Sequence, residues 1–401
     1  MSASRHFFRD LSLSAFTAGF VAVLVGFTSS VVIVFQAATA FGATPAEITS
    51  WMWALGLGMG LTTAILSLVT RLPVMVAWST PGAALLATAG QGRPMSEAVG
   101  AFLVCGALIF LSGATGWFER VMHRIPIALA SALLAGVLTR FGIEAFTAAK
   151  TAPLLVIAML AAYLVGRKLW PRYTVVGVLA VGVLIAAGQG RMQAGTVVWS
   201  LAMPVWTTPS FSWQSLIGLA LPLYIVTMAS QNLPGVAAIR AAGYAEPPWN
   251  MPVSRIVAWA GAATVLLAPF GAFALNLSAI TAAICMGREA HPDPARRYTA
   301  AVSCGVIYCV IGLVGGAVAG VLGAFPHELV AAIAGMALLG TIGGGLQLAM
   351  KNDAHRDAAL LTFLVTLSGV TLGGIGSAFW GVVAGVLALL VQQWRSKGYI
   401  A

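Results

Sequence analysis

The stretch from Arg71 to Ala89, RLPVMVAWSTPGAALLATA, decides the reading of this chain. It is almost wholly apolar, yet it does not read as one continuous helix. Pro73 and Pro81 each lack an N–H, and each biases the preceding residue away from the helical region. Between them VMVAWS is β-branched and aromatic, which favours an extended backbone. Ser79-Thr80-Pro81-Gly82 then reads as a helix start, with a hydroxyl at the cap and proline in the first turn. The expectation is a short strand followed by a half-helix whose N-terminus lies at membrane depth. Irregular backbone there is tolerated only when buried in protein or lining a cavity. A free helix N-terminus carries partial positive charge and unpaired N–H donors, so it attracts anions. The alternative is an ordinary transmembrane helix kinked by proline.

Composition supports the membrane setting. The chain has 401 residues, of which 60% are hydrophobic and 8% charged; soluble domains carry about 25% charged residues. A polytopic membrane protein is expected, with no room for a separate soluble domain. Arg5 and Arg9 precede the first apolar run without a clean cleavage site, so that run is read as a retained helix. Cys105, Cys285, Cys304 and Cys309 lie in apolar segments without CxxC or Cys/His spacing, so neither metal nor disulfide is expected.

Runs of about 20 apolar residues mark transmembrane candidates. Fourteen are read: 13–36, 47–69, 74–90, 96–117, 125–146, 151–169, 172–190, 213–234, 252–268, 270–286, 297–323, 326–349, 357–373 and 376–395. With the N-terminus inside and strict alternation, only Arg93, Arg140, Lys150 and Arg191 fall outside, leaving 17 of the 21 Lys and Arg inside. That is a strong positive-inside bias. It also accounts for the net charge of +10 without nucleic acid, as basic residues facing anionic lipid.

The chain also repeats. A shift of 199 residues places Ser79 on Ser278, Cys105-Gly106 on Cys304-Gly305, Ala135-Gly136 on Ala334-Gly335, Thr28 on Thr227 and Gly19 on Gly218. Each half holds seven spans, an odd number, so the second half enters from the opposite side and the repeats are inverted. The fold class expected is all-α, with two inverted seven-span repeats and short strands with half-helices at spans 3 and 10. The partner of the opening stretch is Leu266 to Gly287, LLAPFGAFALNLSAITAAICMG, with Asn276 or Ser278 as its helix cap. Opposed half-helices at a repeat interface are a transporter architecture.

The eleven acids and five histidines lie near span ends or in loops, with no Ser/His/Asp set, metal cluster or phosphate loop, which disfavours an enzyme. A site of hydroxyls, amides and backbone N–H groups remains. The densest polar group inside a span is Thr227-Met228-Ala229-Ser230-Gln231-Asn232. Gln231 and Asn232 there either line a cavity or only join helices by hydrogen bonds. Thr28, Ser29, Ser30 and Gln36 form a weaker group in span 1. The glycine runs 56–60 and 343–345 read as close helix packing, with a hinge role left open.

VAWSTPGAALLAT (76–88), ASQNLPG (229–235) and FGAFALNLSAITAAI (270–284) resemble the benzoate/proton symporter (BenE) family, and the resemblance runs over essentially the whole chain. It implies the seven-plus-seven fold shared with nucleobase/ascorbate and sulfate transporters. It also implies a core domain from spans 1–4 (1–124) and 8–11 (210–324), and a gate domain from spans 5–7 (125–195) and 12–14 (325–401). The substrate class implied is aromatic carboxylate, taken up with protons across the bacterial inner membrane. The nucleobase branch carries acids in span 8 and near the span 10 break. Here Gln231 and the Asn276–Ser278 segment stand at those places, which suits an anionic substrate but leaves the proton carrier unnamed.

The resulting expectation is a secondary active importer of benzoate or a related aromatic carboxylate. Its termini are cytoplasmic, it has no cofactor, and its partners are substrate, protons and lipid but no nucleic acid. A homodimer is left open. The substrate-binding residues expected are Ser29, Trp78, Ser79, Thr80, Pro81, Gly82, Thr227, Gln231, Asn232, Phe273, Asn276, Leu277 and Ser278, with Phe35 and Tyr224 as further ring contacts. Glu144, four residues after Arg140 on one helix face, is either a proton carrier or half of a structural ion pair. Rival readings are a nucleobase or inorganic-anion transporter of the same fold, and an anion channel.

Overall fold

A computed structural model describes residues 7–28, 30–116, 127–170, 174–192, 201–245, 247–288, 290–370, 372 and 377–397. Helices occupy all fourteen apolar segments read from the sequence. In chain order they are α1 (Leu13–Thr28), α2 (Val31–Ala40), α3 (Pro45–Thr70), α4 (Thr80–Ala89), α5 (Met95–Ala114), α6 (Ile127–Thr147), α7 (Pro153–Leu169) and α8 (Thr174–Gly188). They continue with α9 (Leu221–Thr227), α10 (Leu233–Ala241), α11 (Val253–Leu267), α12 (Ile280–Met286), α13 (Tyr298–Leu313), α14 (Gly315–Gly323), α15 (His327–Met350), α16 (Arg356–Ser368) and α17 (Ser377–Lys397). Among the described residues seven helical stretches are long and apolar enough to cross a bilayer. Two short strands, β1 (Val76–Trp78) and β2 (Leu275–Leu277), precede α4 and α12.

The strands pair with each other, which the local sequence does not foretell. The ribbon is antiparallel, with Val76 opposite Leu277, Ala77 opposite Asn276 and Trp78 opposite Leu275. The Ser79 N–H donates to the Ala274 carbonyl and the Ser278 N–H to the Met75 carbonyl, both at 3.0 Å. These two bonds exchange under the 199-residue shift, so a local twofold axis passes between Ala77 and Asn276.

A two-stranded ribbon has two open edges, and in an apolar interior each unpaired N–H costs about 1–3 kcal/mol. Both edges are closed by side chains of flanking helices. Thr63 Oγ1 of α3 accepts from Val76 N–H, and Thr264 Oγ1 of α11 accepts from Leu275 N–H, each at 3.0 Å. Leu277 N–H donates to Asn232 Oδ1 at 2.9 Å, whereas its counterpart Trp78 N–H meets only the Met59 sulfur, at 3.1 Å. Thioether sulfur is a weak acceptor, so the second half holds the ribbon more firmly.

Helix crossings repeat the same symmetry. Where α3 crosses α13, a Cβ on Gly60 would stand 2.5 Å from the Gly305 carbonyl oxygen. Where α11 crosses α5, a Cβ on Gly261 would stand 2.3 Å from Phe110 N and 2.9 Å from the Gly106 carbonyl oxygen. The 56–60 glycines thus pack helices, as expected. The 343–345 run divides: a Cβ on Gly345 would stand 3.2 Å from the Ser131 carbonyl oxygen of α6, whereas one on Gly343 or Gly344 would meet nothing within 4 Å.

Span 1 is not the continuous helix read over 13–36. It stops at Thr28 and resumes at Val31, with Ser30 at φ −142° and ψ −12°. Ser30 Oγ donates to the Gly26 carbonyl at 2.9 Å and accepts from Trp78 Nε1 at 2.8 Å. The serine competes for the helix's own backbone, and the indole of β1 holds it there. The repeat counterpart in span 8 is also irregular: a π-helical turn, Met228–Asn232, sits between α9 and α10. Such turns recur at functional sites.

Candidate functional site

Four interruptions converge: the α1–α2 break, the π-helical turn, and the starts of α4 and α12. They open on one cavity of about 1220 Å³. Gly26 and Ser30 contribute from the break, Ser230 and Gln231 from the turn, Thr80 and Pro81 from the α4 start, and Ser278, Ala279 and Thr281 from the α12 start. Trp78 and Tyr308 add aromatic surface. The opposite wall comes from α6 through Ser131 and Leu134 and from α15 through Leu338, Thr341, Gly344 and Gly345. The volume exceeds the roughly 300–1,000 Å³ of small-molecule pockets. Among the described lining residues no acid occurs, and Arg288 is the single charged side chain.

The start of α4 is built as its sequence suggests. Ser79 has an extended backbone, its Oγ accepts from Gly82 N–H at 3.0 Å, and Pro81 lies in the first turn. Thr227 Oγ1 donates to the same Ser79 oxygen at 2.9 Å, tying α9 to the cap. The start of α12 corrects the expectation. Its N-cap is Ala279 without a side-chain bond. Ser278 instead accepts a hydroxyl bond from Thr281, and Asn276 turns its Nδ2 to the Ala274 carbonyl at 3.0 Å. Asn276 is held in the ribbon two residues before Ser278 and does not reach the helix start. Its Oδ1 is buried without a partner.

The expected substrate residues separate into two groups. Trp78, Thr80, Pro81, Gln231 and Ser278 line the cavity. Ser79, Gly82, Thr227, Asn232, Phe273, Asn276 and Leu277 are buried behind that wall and support it. Phe273 packs against Trp51 and Phe102, with ring centroids 5.7 and 6.0 Å away. Tyr224 pairs its hydroxyl with Ser112 at 2.6 Å; neither it nor Phe35 is among the lining residues. Gln231 and Asn232, adjacent in sequence, divide the two roles that their residue types leave open: one faces the cavity, the other closes the ribbon edge. Ser29 lies outside the described residues. Glu144 is exposed near the end of α6, away from the cavity lining, and Arg140 donates its Nε to the Leu367 carbonyl at 3.2 Å. Sequence reasoning misses Arg288 and Tyr308. Arg288 stands among ordinary inside-facing charges, and Tyr308 inside an ordinary apolar span.

The chain is similar to known proteins over most of its length. The family described as benzoate membrane transport protein matches residues 9–391. Inner membrane protein YdcO of Escherichia coli is 48% identical over 374 residues, covering 93% of this chain and 94% of that one. The benzoate membrane transport protein of Acinetobacter baylyi is 39% identical over 383 residues, covering 96% of each. Among solved structures, SLC26A9 aligns with a TM-score of 0.60 at 16% identity, covering 94% of this chain and 65% of that one. The transmembrane domain of the cyanobacterium bicarbonate transporter BicA aligns at 0.56 with 13% identity, covering 95% and 97%. At those identities the likeness is one of fold. With the family match over nearly its whole length and a relative at 48% identity, the chain belongs to the benzoate membrane transport protein (BenE) family.

Proposed function

We propose that this protein is a secondary active transporter that imports benzoate or a related aromatic carboxylate together with protons across the bacterial inner membrane. The family makes it a membrane transporter rather than an enzyme. The observation that carries the substrate class is the cavity itself: both half-helix starts open on it, and its one charged lining group among the described residues is a cation. The hydroxyls of Thr80 and Ser278 and the Gln231 amide offer donors to a carboxylate. Trp78, Tyr308 and the aliphatic wall of α6 and α15 offer a surface to a ring.

Fourteen crossings in two inverted repeats fit the ribbon's local twofold. The wall formed by α1, α4, α12 and α13 belongs to the proposed core domain, and the wall formed by α6 and α15 to the gate. We take the exposed lining residues Arg288, just past α12, and Leu348, in the last turn of α15, to mark the cavity's open end. With cytoplasmic termini, the positive-inside count favours the cytoplasm for that end, which makes this an inward-open state. Rocking the gate against the core would close it and open the other side. Uptake of labelled benzoate and labelled uracil by cells producing the protein separates this reading from a nucleobase transporter. Benzoate uptake above background, competed by benzoate and not by uracil, is the expected result.

A further inference from the structure

Among the described residues the cavity's charge lies at one point. Arg288 follows the C-terminal end of α12, is exposed, and lines the cavity. Among the described residues it makes no ion pair.

Its position has an obvious structural explanation, and the structure removes it. A basic residue at a helix C-terminus ordinarily caps the last carbonyls. Here Arg297 does that. Its Nη1 donates to the Met286 carbonyl at 2.8 Å, its Nε to the His291 carbonyl at 2.8 Å, and its Nη2 reaches the Pro292 carbonyl at 3.5 Å. Arg297 is buried and fixes the turn from which Arg288 projects.

The other half-helix offers a contrast. The basic residue that follows α4 is Arg93. Its Nη1 lies 3.6 Å from the Glu97 carboxylate and donates to Ser215 Oγ at 2.8 Å. One half-helix thus ends in a neutralised arginine. The other ends in an arginine that faces a cavity and pairs with no acid among the described residues.

We infer that Arg288 is the charge filter of this cavity, an anion-recruiting cation at the open mouth that favours entry and retention of carboxylates over neutral and cationic molecules. A cation at the mouth of a low-dielectric cleft without compensating acids raises the local concentration of anions, and salt screens the effect. As far as it names carboxylates, the inference rests on the proposed function; its charge selectivity does not.

The test uses the full-length protein with its four native cysteines replaced by serine and Gly344→Cys as a reporter in the cavity. A Cβ at Gly344 meets nothing within 4 Å, so the reporter fits. Modification rates are measured with an anionic sulfonatoethyl and a cationic trimethylammonium-ethyl methanethiosulfonate. The rate ratio, anionic over cationic, should fall about tenfold on adding Arg288→Gln, fall further with Arg288→Glu, and hold with Arg288→Lys. The differences should shrink in 1 M salt. An unchanged ratio in Arg288→Gln overturns the inference.

A second arm measures binding of benzoate and of neutral benzamide to the purified protein. Arg288→Gln should weaken benzoate about fivefold at low salt and leave benzamide unchanged. Equal loss of both ligands would make Arg288 structural and overturn the inference. Charge-selective labelling in a protein that binds no benzoate would instead overturn the substrate reading and leave the filter standing.

Discussion

Ala77 and Asn276 stand opposite one another in the antiparallel ribbon and are also the same position in the two halves of the sequence, 199 residues apart. The halves therefore meet at their own equivalent point, and the asymmetry there is confined to side chains. One strand offers a methyl group that borders the cavity; the other offers a buried amide. The ribbon is the fixed frame from which both half-helices begin, and substitutions around it sort into those that loosen the frame and those that alter the cavity.

Asn232 belongs to the frame. Replacing it with Ala removes the acceptor of the Leu277 N–H and leaves that donor unpaired in the interior, at a cost of about 2 kcal/mol. Gln231→Ala removes a cavity group and leaves the ribbon's hydrogen bonds intact. Thermal unfolding in detergent should show a clear drop for Asn232→Ala and little change for Gln231→Ala, with benzoate binding weakened in both. Equal stability of the two variants would contradict the division of roles.

Ser79 and Thr80 divide in the same way. Ser79→Ala removes the cap of Gly82 N–H and the partner of Thr227, a loss of about 1 kcal/mol. Thr80→Ala touches only the cavity. Stability should fall for the first variant alone, whereas benzoate affinity should fall for Thr80→Ala without unfolding. Parental binding by the folded Thr80→Ala protein would place the carboxylate elsewhere.

Gln231→Glu introduces a negative charge on the cavity wall. Like charges in a low-dielectric site repel by several kcal/mol unless one is protonated. Benzoate transport should collapse near neutral pH and recover in part in acid, where the new carboxyl is neutral. Full transport at neutral pH would mean that the substrate does not approach Gln231.

The glycines make opposite predictions. Gly60→Val drives side-chain atoms into α13 and should destabilise by about 1–3 kcal/mol or prevent assembly. Gly344→Ala meets open space and removes a mid-helix glycine, so stability should stay level or rise by up to about 1 kcal/mol. Transport by Gly344→Ala should nonetheless fall if the core closes onto this face during the cycle. Thermal shift combined with uptake reads both quantities.

Much of this is legible in sequence because prolines and caps act locally. Pro73, Pro81 and Ser79 mark a strand and a helix start within a few residues, and Pro269 marks the second. What stays hidden depends on partners far along the chain. That β1 pairs with β2 rests on contacts 197 to 201 residues apart. The break at Ser30 carries no proline; it is held by an indole 48 residues away. Asn276 looks like a cap by residue type, yet pairing with Ala77 holds it in the ribbon. Nothing local distinguishes Asn232 from Gln231, since the π-helical turn sets which of them faces the cavity. Arg288 reads as one more inside charge until Arg297 is seen to cap α12 in its place.

The proton is the remaining element of the proposed cycle. A lone carboxylate entering against an inside-negative potential costs about 2.3 kcal/mol per 100 mV, so at least one proton must accompany it for electroneutral uptake. Glu144 is exposed and away from the cavity lining, so Glu144→Gln should keep pH-driven accumulation near the parental level, with the proton carried on the substrate itself. Loss of accumulation with exchange intact would restore Glu144 as the carrier.

Accumulation of labelled benzoate by purified protein in proteoliposomes, under an imposed pH difference with the acid side outside, tests the central claim most directly. A coupled importer should raise benzoate inside above its outside concentration at an initial rate well above that of protein-free vesicles, and collapse of the pH difference should release it. Entry that only equilibrates benzoate, or that is no faster than in protein-free vesicles, would contradict proton-coupled benzoate transport.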